Sequence, residues 1–163
     1  MDFRNIVASV DVKDDLARAV VIAAEGMARK HDAALHLVTV WPMLASAAPP
    51  YAADLAPTSV AVSEAAIEQD KKARASAEKR LKEMSRELAP DAQVHIFDGE
   101  PADVVADIAK KTGADVIVAG THQKGFWGSL LSGAPSRDLV HDAPCAVFLV
   151  TKPFAEKLLA AAN

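Results

Sequence analysis

Short runs of apolar, often β-branched residues alternate along this chain with longer segments in which apolar residues recur every three or four positions. The first kind suits a strand buried on both faces of a parallel sheet, and the second a helix with one buried stripe. Asn5 to Asp11 reads as the first strand, ended by Asp11. From about Asp14 to Lys30, Leu16, Val20, Ala23 and Met27 follow at intervals of four, three and four, which is the period of a helix. Ala33 to Val40 reads as the second strand, and Pro42, directly after Trp41, cannot supply a ladder N–H and stops it.

Four prolines lie between Pro42 and Ser59 among alanines and serines, a composition that disfavours helix and ladder alike and marks an excursion loop. A long charged segment from about Val60 to Leu88 places Ala73, Ala77, Leu81, Met84 and Leu88 on one helical face and Lys, Glu and Arg on the other. Gln93 to Asp98 makes a third strand. Gly99-Glu100-Pro101 then sets proline at the start of a helix through Val104, Ile108 and Ala109, which Gly113 ends. Ala114 to Gly120 and Cys145 to Val150 are the fourth and fifth strands, separated by a polar loop and a short helix that begins near Gly133.

Strands alternating with helices demand a mostly parallel sheet with helices on both faces, because right-handed crossovers place them there. The expected architecture is therefore a three-layer α/β sandwich in one domain, residues 1–152, followed by a C-terminal tail or short helix over 153–163. A chain of 163 residues has room for one core of this kind.

Eighteen Lys and Arg against 22 Asp and Glu leave a formal charge of −4, so no basic field draws in nucleic acid or an anionic membrane. Cys145 is the single cysteine, which excludes an internal disulfide and a thiolate metal cage. Charges interrupt the first fifteen residues, and no run approaches the ~20 apolar residues that span a bilayer. A soluble protein retained in the cytoplasm is expected, without membrane insertion and without nucleic acid as a partner.

In an open parallel sheet, ligands bind beyond the carboxyl ends of the strands where strand order reverses. Those ends are Asp11, Val40 to Trp41, Asp98 and Gly120. The glycine-bearing loop after Gly120 can offer N–H groups to an anion at a helix N-terminus, or can be glycine-rich for turn geometry alone. Neither the P-loop nor the Gly-x-Gly-x-x-Gly dinucleotide pattern is present, and no Gly-x-Ser-x-Gly elbow supports a hydrolase. The five histidines, His31, His36, His95, His122 and His141, fall in different elements without ligand spacing, so no metal site is expected.

Asp11, the Gly99-x-Pro101 turn, the Ala114-Asp-Val-Ile-Val-Ala-Gly120-Thr-His122 strand and the His141-Asp-Ala-Pro-Cys145 entry into the last strand together resemble the universal stress protein family. The resemblance covers nearly the whole chain. It implies a five-stranded parallel sheet in the order 3-2-1-4-5, of the adenine nucleotide alpha-hydrolase-like kind. It also implies a homodimer formed by pairing the last strands, here Val147 to Val150. ATP-binding members carry Gly-x-x-Gly, nine residues, then Gly-Ser/Thr. In this sequence the four positions are Gly120, Gln123, Gly133 and Ala134, so two of them depart. Gln123 fills space that glycine leaves for phosphate, and Ala134 lacks the hydroxyl that would donate to a phosphate oxygen. Asp11 matches the adenine-contacting aspartate and Val40 the valine whose backbone meets the base, while Ala119 and Gly120 match positions along the nucleotide.

His122 lies in the same loop, where it polarises a phosphate or holds the loop in place; Phe126 and Trp127 dock a partner or pack beneath it. Asp11 contacts a base or caps the turn after its strand, and the resemblance favours the base. Cys145 reads as a small packed residue. The leading expectation is a dimeric stress-response module with a degenerate adenine-nucleotide crevice and an unidentified protein partner, a binding protein rather than an enzyme. ATP or AMP would bind weakly or not at all, with Mg²⁺ only alongside nucleotide. The alternative is an ATP-binding, slowly hydrolysing switch of the same fold. A flavin carrier on a related sheet is the third reading.

Overall fold

A computed structural model describes residues 2–42, 63–121 and 143–161. The elements are β1 (Asn5–Ser9), α1 (Ala17–His31), β2 (Ala34–Trp41), α2 (Glu64–Leu88), β3 (Gln93–Asp98), α3 (Pro101–Thr112), β4 (Val116–Gly120), β5 (Ala146–Val150) and α4 (Lys152–Ala161). The strands form one sheet in the order β3-β2-β1-β4-β5, and every neighbouring pair is parallel. This is the topology that the resemblance implied.

Alternation along the strands divides the core in two. Ile6, Ala8, Leu35, Leu37, Val116 and Val118 face one way and pack with Val20, Val21 and Ala24 of α1, Leu81 of α2 and Ala155 of α4. Val7, Val38, Ile117 and Ala119 face the other way, against Ala102, Val105, Ile108 and Ala109 of α3. Ile6, Leu37, Leu81 and Val105 are fully enclosed, each stabilising the fold by roughly 1.5–3 kcal/mol relative to exposure.

The helix boundaries follow local chemistry. Ser63 accepts the Ala66 N–H at the start of α2. Pro101 occupies the first turn of α3, and Gly113 closes that helix in the left-handed conformation at φ 62°. Gly99, at φ +147°, donates its N–H to Trp41 O at 3.0 Å and turns β3 into α3. Asp32 is the only non-glycine residue with positive φ among the described residues, at 52°, and it caps α1 through a bond from its N–H to Ala28 O.

Several boundaries differ from expectation. The first strand ends at Ser9, not Asp11. Val10 still donates to Val38 O, but its own carbonyl accepts the Thr39 hydroxyl at 2.7 Å, so a side chain takes the place of the next ladder bond. The following helix begins at Ala17 rather than near Asp14, because Asp11 and Asp14 build turns of their own. The Asp14 N–H donates to Asp11 O, and Asp14 Oδ1 accepts from Leu16. Trp41 belongs to β2, and the fourth and fifth strands start at Val116 and Ala146. The prolines at 49, 50 and 57, and the loop and helix expected between β4 and β5, lie outside the described residues.

Candidate functional site

β1 to β2 to β3 steps toward one sheet edge, and β3 to β4 returns past β1 to begin stepping toward the other. The reversal puts the switch point at the carboxyl end of β1, between β2 and β4. β1 pairs no further than Ser9, opposite Val38 and Ala119, while β2 runs on to Trp41 and β4 to Gly120, and the Thr39 hydroxyl takes the Val10 carbonyl where the ladder stops.

Asp11 stands exposed on this rim. Its Oδ1 accepts the Lys13 N–H at 3.0 Å, a turn-capping bond that engages one of its two carboxylate oxygens. Val40 is half-buried. Val38 O faces β1, where it accepts Val10 N–H, and Trp41 O faces β3, where it accepts Gly99 N–H. Strand alternation then aims the Val40 N–H and C=O toward the β1 side, beyond the last residue of that strand. A peptide donor and acceptor side by side at a sheet terminus match the hydrogen-bonding edge of a purine base in kind.

Ala119 is fully buried within the α3-side core. Gly120 ends β4 against α1: a Cβ added there would lie 3.3 Å from Leu16 Cβ and 3.5 Å from Val20 Cγ2. Glycine at this position therefore has a packing reason independent of any ligand. Thr121 follows, donating its N–H to Val150 O at 3.1 Å. Among the expected site residues, Asp11, Val40, Ala119 and Gly120 are thus brought to one end of the sheet. His122, Gln123, Gly133 and Ala134 lie outside the described residues, as do Phe126, Trp127 and His141.

The β2 flank of the crevice carries a cluster that sequence reasoning missed. Lys13 Nζ sits 4.2 Å from the centre of the Trp41 ring, a cation–π contact that ties the Asp11 loop to β2. Trp41 Nε1 donates to Asp70 Oδ1 at 2.9 Å, holding α2 to the same point. One turn further along α2, Arg74 makes a two-pronged contact with Asp98 at 2.8 and 3.1 Å. A tryptophan directly before Pro42 was the available signal, yet its partners lie 28 and 29 residues away in sequence.

Two histidines meet on the α3 side of the sheet. His36 Nδ1 is 3.3 Å from His95 Nε2, and His95 stacks on Phe97. Burial, with His95 as a second charge beside it, holds the His36 pKa below its ordinary value. No group of three or more His, Cys, Asp or Glu able to hold a metal occurs among the described residues. Cys145 packs against the α3-side core, and burial raises its pKa first, with Asp115 adding to the effect. That environment suits a packed thiol rather than a nucleophile.

The model of the universal stress protein family matches residues 2–151 of this chain. A Thermus aquaticus protein described as "Universal stress protein in QAH/OAS sulfhydrylase 3'region" is 30% identical over 148 residues, which are 91% of this chain and 98% of that protein. Among solved structures, a universal stress protein in complex with cAMP superposes with a TM-score of 0.59 at 15% identity, covering 93% of this chain and 98% of the other. The universal stress protein from Archaeoglobus fulgidus in complex with dAMP gives 0.56 at 22% identity, covering 91% and 98%. The chain belongs to the universal stress protein family. Helix α4 lies beyond the matched residues.

Proposed function

We propose that this protein is a stress-response regulatory module whose crevice takes an adenine nucleotide through the base and has lost much of its grip on the phosphates. The observation that carries this reading is the early end of β1, which leaves the Val40 peptide groups and the Asp11 carboxylate together at the switch point. The similarity to proteins held in complex with cAMP and dAMP supports an adenine base with a single phosphate as the ligand class. Gln123 and Ala134 stand where the triphosphate-binding pattern has glycine and a hydroxyl residue. Each missing contact costs about 1–3 kcal/mol, enough to move a triphosphate from tight to weak binding.

Binding and regulation, rather than catalysis, is the activity proposed, with Mg²⁺ entering only alongside a nucleotide. The functional unit is a cytoplasmic homodimer paired through Val147 to Val150. β5 lies at the end of the sheet, with Val147 and Leu149 exposed, and pairing would cover an apolar edge that otherwise invites aggregation. No helix among the described residues is long and apolar enough to cross a membrane.

The test is isothermal titration of nucleotide-stripped protein with ATP·Mg²⁺ and with AMP. ATP binding no tighter than AMP supports the proposal. Micromolar ATP binding accompanied by slow hydrolysis would replace it with a nucleotide-dependent switch.

A further inference from the structure

We infer that the first half of α2 is an arm whose docking on the sheet rim is coupled, through Trp41, to occupancy of the base site at Asp11. The inference rests on the reading that this site takes an adenine nucleotide, and it names the element that such a ligand regulates.

The 25 residues of α2 make a helix about 37 Å long. β2 and β3, with eight and six residues, are only about 26 and 20 Å long. The buried residues of α2, Ala77, Leu81, Met84 and Ser85, all lie in its second half. From residue 64 to residue 76 every side chain is half-buried or exposed. The half-buried ones, Ala66, Asp70, Ala73 and Arg74, recur at helical spacing and so share one face. Two alanines and two charged residues give hydrophobic burial little to act on, and Ile67, the large apolar residue of this half, is 38% exposed. Polar contacts therefore hold the arm.

Those contacts converge on the last residues of two strands. Asp70 Oδ1 accepts the Trp41 Nε1 proton at 2.9 Å, and Arg74 grips Asp98 with two bonds. Trp41 and Asp98 are register partners across β2 and β3. Asp70 and Arg74, one turn apart on α2, attract each other as well, so the four side chains close a ring across the rim. Residues 64–69, about 9 Å of helix, extend past this latch.

Trp41 joins the latch to the base site. Its edge donates to Asp70, while its face carries Lys13 Nζ at 4.2 Å, and the Lys13 N–H donates to Asp11 Oδ1 at 3.0 Å. Asp70, Trp41, Lys13 and Asp11 thus form an unbroken series of direct contacts from α2 to the residue that meets the base. At 7% exposure, the indole N–H loses its acceptor when the arm undocks, and the ring is then free to shift beneath Lys13. A ligand that fixes Asp11 holds Lys13 and Trp41 in the orientation that Asp70 accepts. Linkage makes the effect mutual: docking favours ligand, and ligand favours docking. The arm suits this role because a helical segment of thirteen residues with no buried side chain is marginal by itself and opens at the low end of the stability range.

The test is hydrogen exchange of the backbone amides of residues 68–76 with and without AMP, together with calorimetric AMP titration, on the full-length wild type, Asp70→Ala and Glu68→Ala, each checked for native circular dichroism. Alanine keeps the helix propensity at both positions, and Glu68 pairs only along the helix, with Lys72. The expected result is that AMP slows exchange in the wild-type arm. Asp70→Ala should speed exchange, abolish the response to AMP and weaken AMP binding about fivefold or more, while Glu68→Ala leaves the affinity unchanged. An Asp70→Ala protein with a faster-exchanging arm and wild-type AMP affinity would reduce Asp70 to a local latch and overturn the coupling, as would AMP binding that leaves arm exchange unaltered. An affinity lowered equally by Glu68→Ala would overturn the path through Trp41. Failure of the wild type to bind AMP would overturn the base-site reading, and the coupling with it.

Discussion

The Thr39 hydroxyl donates to the Val10 carbonyl at 2.7 Å, 29 residues away in sequence, and this bond marks where β1 leaves the sheet. Thr39 is 3% exposed, so replacing it with isosteric valine leaves a buried carbonyl with one fewer donor. Thr39→Val is expected to destabilise the protein by about 1–3 kcal/mol. Urea denaturation with an unchanged m-value measures it; full retention of stability would mean that Val10 O is satisfied in another way.

Two left-handed positions are expected to respond in opposite directions. Asp32, at φ 52°, carries a Cβ in the conformation that glycine adopts without cost, so Asp32→Gly should stabilise α1 by about 0.5–1 kcal/mol. Gly99, at φ +147°, would place an added Cβ 2.9 Å from Val104 Cγ2. Gly99→Ala should cost about 1–3 kcal/mol and loosen the turn into α3. Thermal melts of the two variants should shift apart, and a shared direction would contradict the backbone account.

Stability should also fall on mild acidification. In the folded protein the pKa of His36 is lowered by burial and by His95, whereas in the unfolded chain it returns to its ordinary value near 6.5. Between those values the unfolded state binds the extra proton, so stability declines as pH drops below about 7 and levels once pH passes the lowered folded value. His36→Gln should flatten this region of a stability-versus-pH curve. Asp115 acts in a separate, more acidic window. Hydrogen bonds from the Arg4 and Asn5 backbones depress its pKa, so its contribution is present above its ordinary carboxylate value and is lost as pH falls through the depressed one. Asp115→Asn should remove a loss seen below about pH 4 and leave the histidine region unchanged.

Lys13 over Trp41 fixes the loop that carries Asp11. Lys13→Met keeps the aliphatic stem and removes the charge, with an expected stability cost of about 0.5–1 kcal/mol. Base binding should weaken with it, because Asp11 then has to be ordered by the ligand. An AMP titration equal to wild type would show that the Lys13 N–H bond to Asp11 suffices to hold the loop.

Much of the fold was legible because its signals are local. Gln93 to Asp98 carries its strand pattern between turn residues, Pro101 and Gly113 bracket α3, and Leu81 and Met84 fall on the buried stripe of α2. The end of β1 was not legible, since the apolar run continues through Val10 and the bond that ends the ladder comes from Thr39 on another strand. The Lys13, Trp41 and Asp70 cluster is hidden for the same reason. So is the His36 and His95 pair, which sequence spacing assigns to unrelated elements and the parallel register of β2 and β3 brings to 3.3 Å. In the candidate site, Gly120 was legible as a strand end, and Asp11 as a residue just past one, although its strand stops two residues earlier than expected. Val40 drew its role from the family resemblance, and its peptide orientation follows only from the sheet's hydrogen bonds.

The most direct measurement of the central claim is calorimetric titration of ATP and AMP into the wild type and the double variant Gln123→Gly, Ala134→Ser. With the two departures from the family's phosphate pattern reversed, ATP affinity should rise about tenfold or more while AMP affinity changes little. An ATP affinity unchanged by both substitutions would contradict the account, because the crevice would then be limited by something other than its phosphate contacts.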